Sequence, residues 1–402
     1  MVKQGNTKDA VMSIPEMWEI KKLKDVAPLQ RGFDLPYSQM KTGIYPVVFS
    51  NGIGAYHSEY MIPGPGVVTG RSGTIGKVHF VQKNYWPHNT SLWVTDFHGN
   101  HEKYIYYLFK RINWNAFNSG SGVPTLNRND VHETEIMLPP LVEQISIAAA
   151  LSDIDDLITN LEKLIAKKKA IKQGAMQELL TGKRRLPGFD GEWDNYRFGD
   201  VFVILPNNAF TRAEMSDSGI VKNIHYGDIL TKYHEYISAE SDEIPYIAST
   251  VDLSRFSDKC FVKSGDIIIA DTAEDETVGK ALEVIGVSCL MLSGQHTMLC
   301  RPQIPFAERF LGYYLNSACY HEQLIPYITG TKVSSVSKAN IVQTYLRVPG
   351  IQEQTAIADI LTDMDIEITK LEENLAKYRL VKQGMMSELL TGRIRLTEKE
   401  DA

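Results

Sequence analysis

Leu138-Pro139-Pro140-Leu141-Val142-Glu143-Gln144 opens a stretch that runs to Leu179-Leu180-Thr181-Gly182. The stretch returns, without a gap, as Val348-Pro349-Gly350-Ile351-Gln352-Glu353-Gln354 and ends at Leu389-Leu390-Thr391-Gly392. Matched residues are offset by 210 positions, and about half of them are identical, including Lys172-Gln173-Gly174 against Lys382-Gln383-Gly384. Self-similarity of that length marks an internal duplication and is read before anything else.

Each copy reads as one long helix. Pro139 and Pro349 stop whatever precedes, Gly182 and Gly392 stand where a helix ends, and no proline lies between. Apolar residues fall at Leu151, Ile154, Ile158, Leu161 and Ile165, and again at Leu361, Met364, Ile368, Leu371 and Leu375. Spacings that alternate three and four are the a/d seam of a coiled coil. Roughly 40 residues at 1.5 Å each make a rod about 60 Å long. So narrow a stripe needs a partner helix, and the economical partner is the other copy in the same chain.

Composition sets the bounds. A chain of 402 residues exceeds one ordinary core, so at least two domains are expected. Hydrophobic content of 43% and charged content of 23% describe a soluble globular protein. No apolar run approaches a membrane span, and the N-terminus lacks the apolar core of a signal peptide. Cys260, Cys289, Cys300 and Cys319 have no CxxC spacing and are expected as buried free thiols in a reducing cytoplasm. A net charge of −7 is unusual for a free-standing nucleic-acid binder, so any DNA-facing basic surface has to be local or partner-supplied.

Along the chain, residues 1–13 read as a disordered tail and 397–402 as a second tail. A globular unit spans 14–138, a helical region 139–186, a second globular unit 187–348 and a second helical region 349–396. Each unit has a tryptophan-led beginning, Trp18 before Leu23-Lys24-Asp25-Val26 and Trp193 before Phe198-Gly199-Asp200-Val201. These tryptophans are 175 residues apart while the helices are 210 apart, so the second unit is 35 residues longer. Strands are expected at 45–49, 66–69, 76–81 and 91–95, then at 244–247, 265–270, 281–286 and 297–300. A short helix follows each set, at 103–112 and 308–315. Each unit is read as a mixed α/β domain with a curved sheet, docked on the end of a long helix.

Catalytic motifs fail on their own terms. Gly70-Arg71-Ser72-Gly73-Thr74-Ile75-Gly76-Lys77 puts five residues between its outer glycines and follows the lysine with Val78, unlike a phosphate loop. His321-Glu322 has Ile325 where a zinc helix needs histidine, and ten histidines are scattered without ligand spacing. Leu138-Pro139-Pro140-Leu141 lacks the polar first and aromatic last residue of the amino-methyltransferase motif, and no glycine-rich turn offers an S-adenosylmethionine site.

The tryptophan-led beginnings, the Pro-Pro-Leu-x-Glu-Gln opening, the duplicated helix and the Glu-Leu-Leu-Thr-Gly ending together resemble the specificity subunit of type I restriction–modification systems. The likeness covers nearly the whole chain, in the family's order. It implies an α+β fold with two mixed α/β target-recognition domains joined by two long helices that pair as an antiparallel intramolecular coiled coil. Each domain would read one half of a split site in double-stranded DNA. The helices would act as spacer and dock two methyltransferase subunits, which restriction/translocase subunits join. No catalysis, metal or cofactor is implied for this chain; S-adenosylmethionine, ATP and Mg belong to the partners.

DNA reading takes phosphate contacts for register and side chains on base edges for sequence. Candidates on polar loops of the first domain are Arg31 (with Gly32), Asn51, Arg71, Ser72, Lys77, Asn89, Ser119, Ser121, Asn127 and Arg128. In the second they are Lys222, Asn223, His225, Thr250, Thr272 (with Asp271), Gln295, His296, Lys332, Ser334 and Ser335. Glycines beside Ser121 and Lys332 would let backbone N–H groups approach phosphate, and Arg71 is the type suited to bidentate guanine contact. Lys163, Lys167, Lys168, Lys169, Lys172 and Lys183-Arg184-Arg185 form a solvated face or a surface against the DNA spacer. A protein-binding scaffold without DNA, and a fused methyltransferase or nuclease, are the alternatives.

Overall fold

The structure, a computed structural model, describes residues 14–120, 122–275, 277–330 and 332–396. Both expected tails and Ser121 lie outside the described residues. The chain divides into two compact units, one of residues 1–163 with 373–402, the other of 164–372. Each unit therefore holds one globular domain and portions of both long helices.

Leu141–Leu179 and Ile351–Leu389 are uninterrupted α-helices of 39 residues each. Both end on a glycine in the left-handed region, Gly182 at φ +69° and Gly392 at φ +70°. A side chain at Gly182 would also press on Trp193, and one at Gly392 on Pro15 and Trp18. Glycine is needed twice over, for the backbone turn and for the indole laid across it.

In the first unit Leu29–Arg31, Ser91–Val94, Gly66–Gly70 and Val78–Val81 form an antiparallel sheet in that order. A smaller mixed sheet follows the order Gly52–His57, Tyr45–Phe49, Trp86–Pro87. The helix Glu102–Arg111 buries Tyr104, Ile105, Tyr107, Leu108 and Phe109. These join Ile147, Ala148 and Leu151 from the start of the first long helix and Leu389 and Leu390 from the end of the second. The second unit repeats the plan with a five-stranded sheet, in order Phe202–Leu205, Thr297–Pro302, Ile267–Ala270, Ala281–Ile285, Tyr236–Ser238. Its core contains Ile357, Ala358, Leu361, Leu179 and Leu180, the same five positions shifted by 210. Each domain thus packs on the start of one helix and the end of the other, where the sequence suggested a single helix end.

The repeated Glu-Gln opening is a staple. Glu143, 3% exposed, accepts two hydrogen bonds from Arg395 at 2.7 and 2.8 Å and one from the Trp18 indole at 2.9 Å. Burial alone would raise the Glu143 carboxyl; the hydrogen bonds from Arg395 and Trp18 win and hold it below the usual carboxylate range. In the second unit Glu353 accepts from Arg185 twice, at 2.7 Å each. The neighbouring Gln144 accepts from the His101 N–H and donates to the Pro139 carbonyl, while Gln354 does so with Ala307 and Pro349. Both glutamines satisfy backbone groups that the proline-broken helix start leaves open.

Within each unit the helix portions run antiparallel, held by Asp155–Lys382 and Glu162–Arg379 in one and by Lys172–Asp365 and Lys168–Glu367 in the other. Tyr107 donates to Asp155 at 2.8 Å, and Tyr313 to Asp365 at 2.6 Å. Leu151, Ile154, Ile165, Leu361 and Ile368 of the seam are buried, while Ile158, Leu161, Met364, Leu371 and Leu375 are half-buried. Among the described residues no helix is long and apolar enough to cross a membrane. All four cysteines are free, but only Cys260 and Cys300 are buried; Cys289 and Cys319 are half-exposed, correcting the expectation for those two.

Candidate nucleic-acid interface

In the first unit the strand Gly66–Gly70 delivers Arg71 to the sheet rim. There Arg71 and Ser72 donate their N–H groups to the Thr90 carbonyl at 2.9 and 3.1 Å. The loop after Asn118 folds onto the same rim, with Leu126 N–H on the Arg71 carbonyl at 2.8 Å and Ser72 bridged to Thr125. The Asn118 carboxamide closes this loop by accepting from Gly120 and Thr125 at 3.1 Å each. Any side chain at Gly120 would collide with the Val123 carbonyl. The Gly120 N–H is thus already occupied and does not reach for phosphate as the sequence suggested.

Arg31, Arg71, Ser119, Asn127 and Arg128 come together with Thr125, Leu126, Asn129 and Leu92 around a cleft of about 310 Å³. Arg31 pairs with Asp34 at 2.8 Å, and Asn89 donates to the same carboxylate. The Asn89 and Arg31 hydrogen bonds hold the Asp34 carboxyl below its ordinary range. Arg128 reaches the Leu29 carbonyl at 3.4 Å, whereas Arg71 has no side-chain partner among the described residues. Three guanidinium groups against one carboxylate make this a cationic lip on a chain of net charge −7. Asn51 and Lys77 are exposed on flanking turns; Asn51 is tied to the rim through Ser50, whose N–H donates to Thr90 at 3.3 Å.

The second unit builds the same rim with other side chains. Asp271 follows the strand Ile267–Ala270, donates its N–H to the His296 carbonyl at 3.1 Å and accepts from Val336 N–H at 2.9 Å. Thr272 and Ser335 pair across the rim, and the loop closes by two backbone bonds between Thr329 and Ser335. The Asp271 carboxylate accepts from the Thr272 hydroxyl at 2.8 Å and lies 3.6 Å from His296 Nδ1. Thr272, His296, Ser334 and Ser335 are therefore brought together, with Gln295 half-buried beside them and Lys332 exposed on the loop. Thr250 is exposed but stands after the strand Tyr246–Ile247, in another part of the domain.

Lys222, Asn223 and His225 are not available to a ligand. The strand Val221–Ile224 is buried throughout, between Tyr246–Ile247 and Leu290–Ser293 in a second sheet. Lys222 Nζ donates to the Ala239 and Ser241 carbonyls at 2.9 Å each, over the Tyr246 ring. Asn223 accepts from Asn208 at 2.7 Å. His225 caps a short helix by accepting the Gly227 N–H, and burial, then Arg212, lowers its pKa. Polar residues in the run looked like a loop; they are satisfied inside the sheet instead. The helix lysines change too, since Lys168, Lys169 and Lys172 are engaged by Glu367, Glu372 and the Glu235–Asp365 pair. Sequence reasoning missed Asn118, Asp34 and Thr125. Of these only Asp34 left a signal, its spacing of three from Arg31.

The profile of the type I restriction modification DNA specificity domain matches residues 15–173 and again residues 190–377. The chain belongs to that family. Among relatives, the MjaVIII specificity subunit of Methanocaldococcus jannaschii is 25% identical over 297 residues, covering 69% of this chain and 66% of the relative. The EcoprrI specificity subunit of Escherichia coli is 26% identical over 122 residues, 30% of each chain. The chain thus spans just under two-thirds of the length of the first of these curated relatives. The type I restriction–modification S subunit of M. genitalium superposes with a TM-score of 0.60 at 16% identity, over 92% of this chain and 96% of that one. A chain from a structure of complex assembly and conformational transition in a type I system gives 0.55 at 16%, over 95% and 100%. At such identity these structures establish the shared fold: two sheet-rich domains with paired long helices.

Proposed function

We propose that this chain is the specificity subunit of a type I restriction–modification complex, and that each domain reads one half of a split double-stranded DNA site. The observation that carries the reading is the repeated rim, where a tight loop and a sheet edge gather polar side chains twice in one chain. In the first domain that rim is the arginine-lined cleft, with Arg71 unpartnered among the described residues. Arginine and asparagine side chains there have the donors that phosphate and base edges accept. The helices dock two methyltransferase subunits, and restriction/translocase subunits join them. The chain transfers no methyl group and cuts no DNA itself; S-adenosylmethionine, ATP and Mg act on the partners.

The test is co-expression with the methyltransferase subunit and genome-wide mapping of methylated bases. A split motif that disappears without this chain is expected. Replacing residues 187–348 with the equivalent domain of a relative should change one half of the motif and keep the other. Loss of both halves together, or a motif indifferent to this chain, would overturn the proposal.

A further inference from the structure

The two rims carry opposite charge at one backbone position. Arg71 and Asp271 each follow an inner strand of the main sheet, donate their N–H to a residue of the adjoining turn and accept from the first buried residue after the tight loop. Those acceptors' partners, Leu126 and Val336, are themselves offset by 210 residues. The same place on the scaffold therefore presents a guanidinium in one domain and a carboxylate in the other.

Asp271 differs from the structural carboxylates of its own domain. Asp266 is buried and held by Arg301 at 2.8 and 2.6 Å, and the buried Asp228 is held by Arg212 at 2.7 Å. Asp271 is 26% exposed at its side chain, uses Oδ1 for the Thr272 hydroxyl and has no arginine or lysine partner among the described residues. An arginine at this position could serve as a phosphate clamp, but a carboxylate in the equivalent place would be repelled by the backbone. What both groups can address is a base edge in the major groove. A guanidinium matches the two acceptors of guanine, and a carboxylate accepts from an exocyclic amino group.

We infer that Arg71 and Asp271 are equivalent base-reading residues of opposite polarity: Arg71 selects guanine in one half-site, and Asp271 selects an amino-bearing base, cytosine or adenine, in the other. The inference rests on the two-domain DNA reading proposed above and adds the residue that decides one base pair in each half.

The experiment uses the complex with the methyltransferase subunit. The motif of the parent is mapped first; DNA duplexes carrying every single substitution of that motif are then methylated by the parent, Arg71→Gln, Asp271→Asn and Asp271→Glu. Each Arg71 or Asp271 variant should lose discrimination at one base pair, on the order of ten- to a hundred-fold, and leave the other half-site unchanged. A parent preference for cytosine or for adenine at that base pair separates the two bases; where the parent selects cytosine, Asp271→Asn should also move preference toward adenine, whose acceptor and donor match an amide. Uniform weakening across all duplexes, unchanged discrimination, or failure of both Asp271 variants to fold by thermal melting would overturn the inference. If replacement of residues 187–348 still changes its half-site while Asp271→Asn does not, only this inference fails. If that replacement changes nothing, the two-reader proposal fails with it.

Discussion

In the first unit Glu143 is held by Arg395 and by the Trp18 indole, whereas in the second Glu353 is held by Arg185 and the Trp193 indole N–H has no partner among the described residues. The Tyr–Asp–Lys set is kept in both, as Tyr107–Asp155–Lys382 and Tyr313–Asp365–Lys172. At the rims the same scaffold position turns from Arg71 to Asp271. The contrast separates two kinds of residue. The charged side chains that close each domain onto the helices (Glu143 and Glu353, Asp155 and Asp365, Lys172 and Lys382, Arg185 and Arg395) repeat at an offset of 210, because loss of one partner leaves a charge without its counterion. Side chains on the rim are free to change sign, since the sheet edge that carries them is built from backbone hydrogen bonds.

The largest difference should appear at the staples. Breaking a buried carboxylate–arginine pair costs about 3–5 kcal/mol. Arg185→Ala should fall at the upper end and Arg395→Ala at the lower, because Glu143 keeps Trp18. Urea unfolding of the two variants measures this, and equal losses would mean that the Trp18 hydrogen bond contributes nothing.

One buried carboxylate in each unit should also respond to pH in the direction opposite to the other. Glu283 of the second unit is 2% exposed; burial raises its carboxyl to about 7, against the N–H groups of Gly312 and Arg309 that favour the anion. A raised folded pKa gives stability that is full below the unfolded value of 4.5 and is lost as pH rises through about 7. The sum of that loss is on the order of 3 kcal/mol. Glu143, with its pKa lowered, gives the reverse: stability full above the unfolded 4.5 and lost as pH falls through the folded value. Glu283→Gln should flatten the melting temperature between pH 4.5 and 7 and stabilise the chain at pH 8. A melting profile identical to the parent's would remove Glu283 from the account.

Lys222 and Arg71 sharpen the distinction between inside and rim. Lys222→Met strands two carbonyl groups and should cost about 1–3 kcal/mol with DNA selectivity unchanged. Arg71→Gln should leave stability within about 0.5 kcal/mol while altering DNA discrimination. A selectivity change in the lysine variant would return Lys222 to the interface. Among the destabilising variants the smallest cost is expected for Tyr107→Phe and Tyr313→Phe, about 1 kcal/mol each, because Asp155 and Asp365 retain their lysines. Unequal costs in urea unfolding would show that the duplication preserved geometry without preserving energetics.

Much of the scaffold was legible because its signals are local or periodic. The proline stops, the glycine ends and the three–four seam mark both helices, and Tyr45–Phe49, Gly66–Gly70, Ser91–Val94 and Ile267–Ala270 stand within a few residues of the expected strands. The paired polar loops at 119–125 and 329–335 were visible through the repeat alone. Tertiary structure decided the rest, since burial of a polar group depends on partners far away in sequence. Lys222 is internal because Ala239 and Ser241 supply carbonyls, and Glu143 because Arg395, 252 residues on, supplies a guanidinium. Sequence by itself determined that the chain is a duplicated two-domain protein on long helices. Only the folded rims decided which polar residues remain for a ligand, because a hydrogen bond made inside the protein is no longer available outside it.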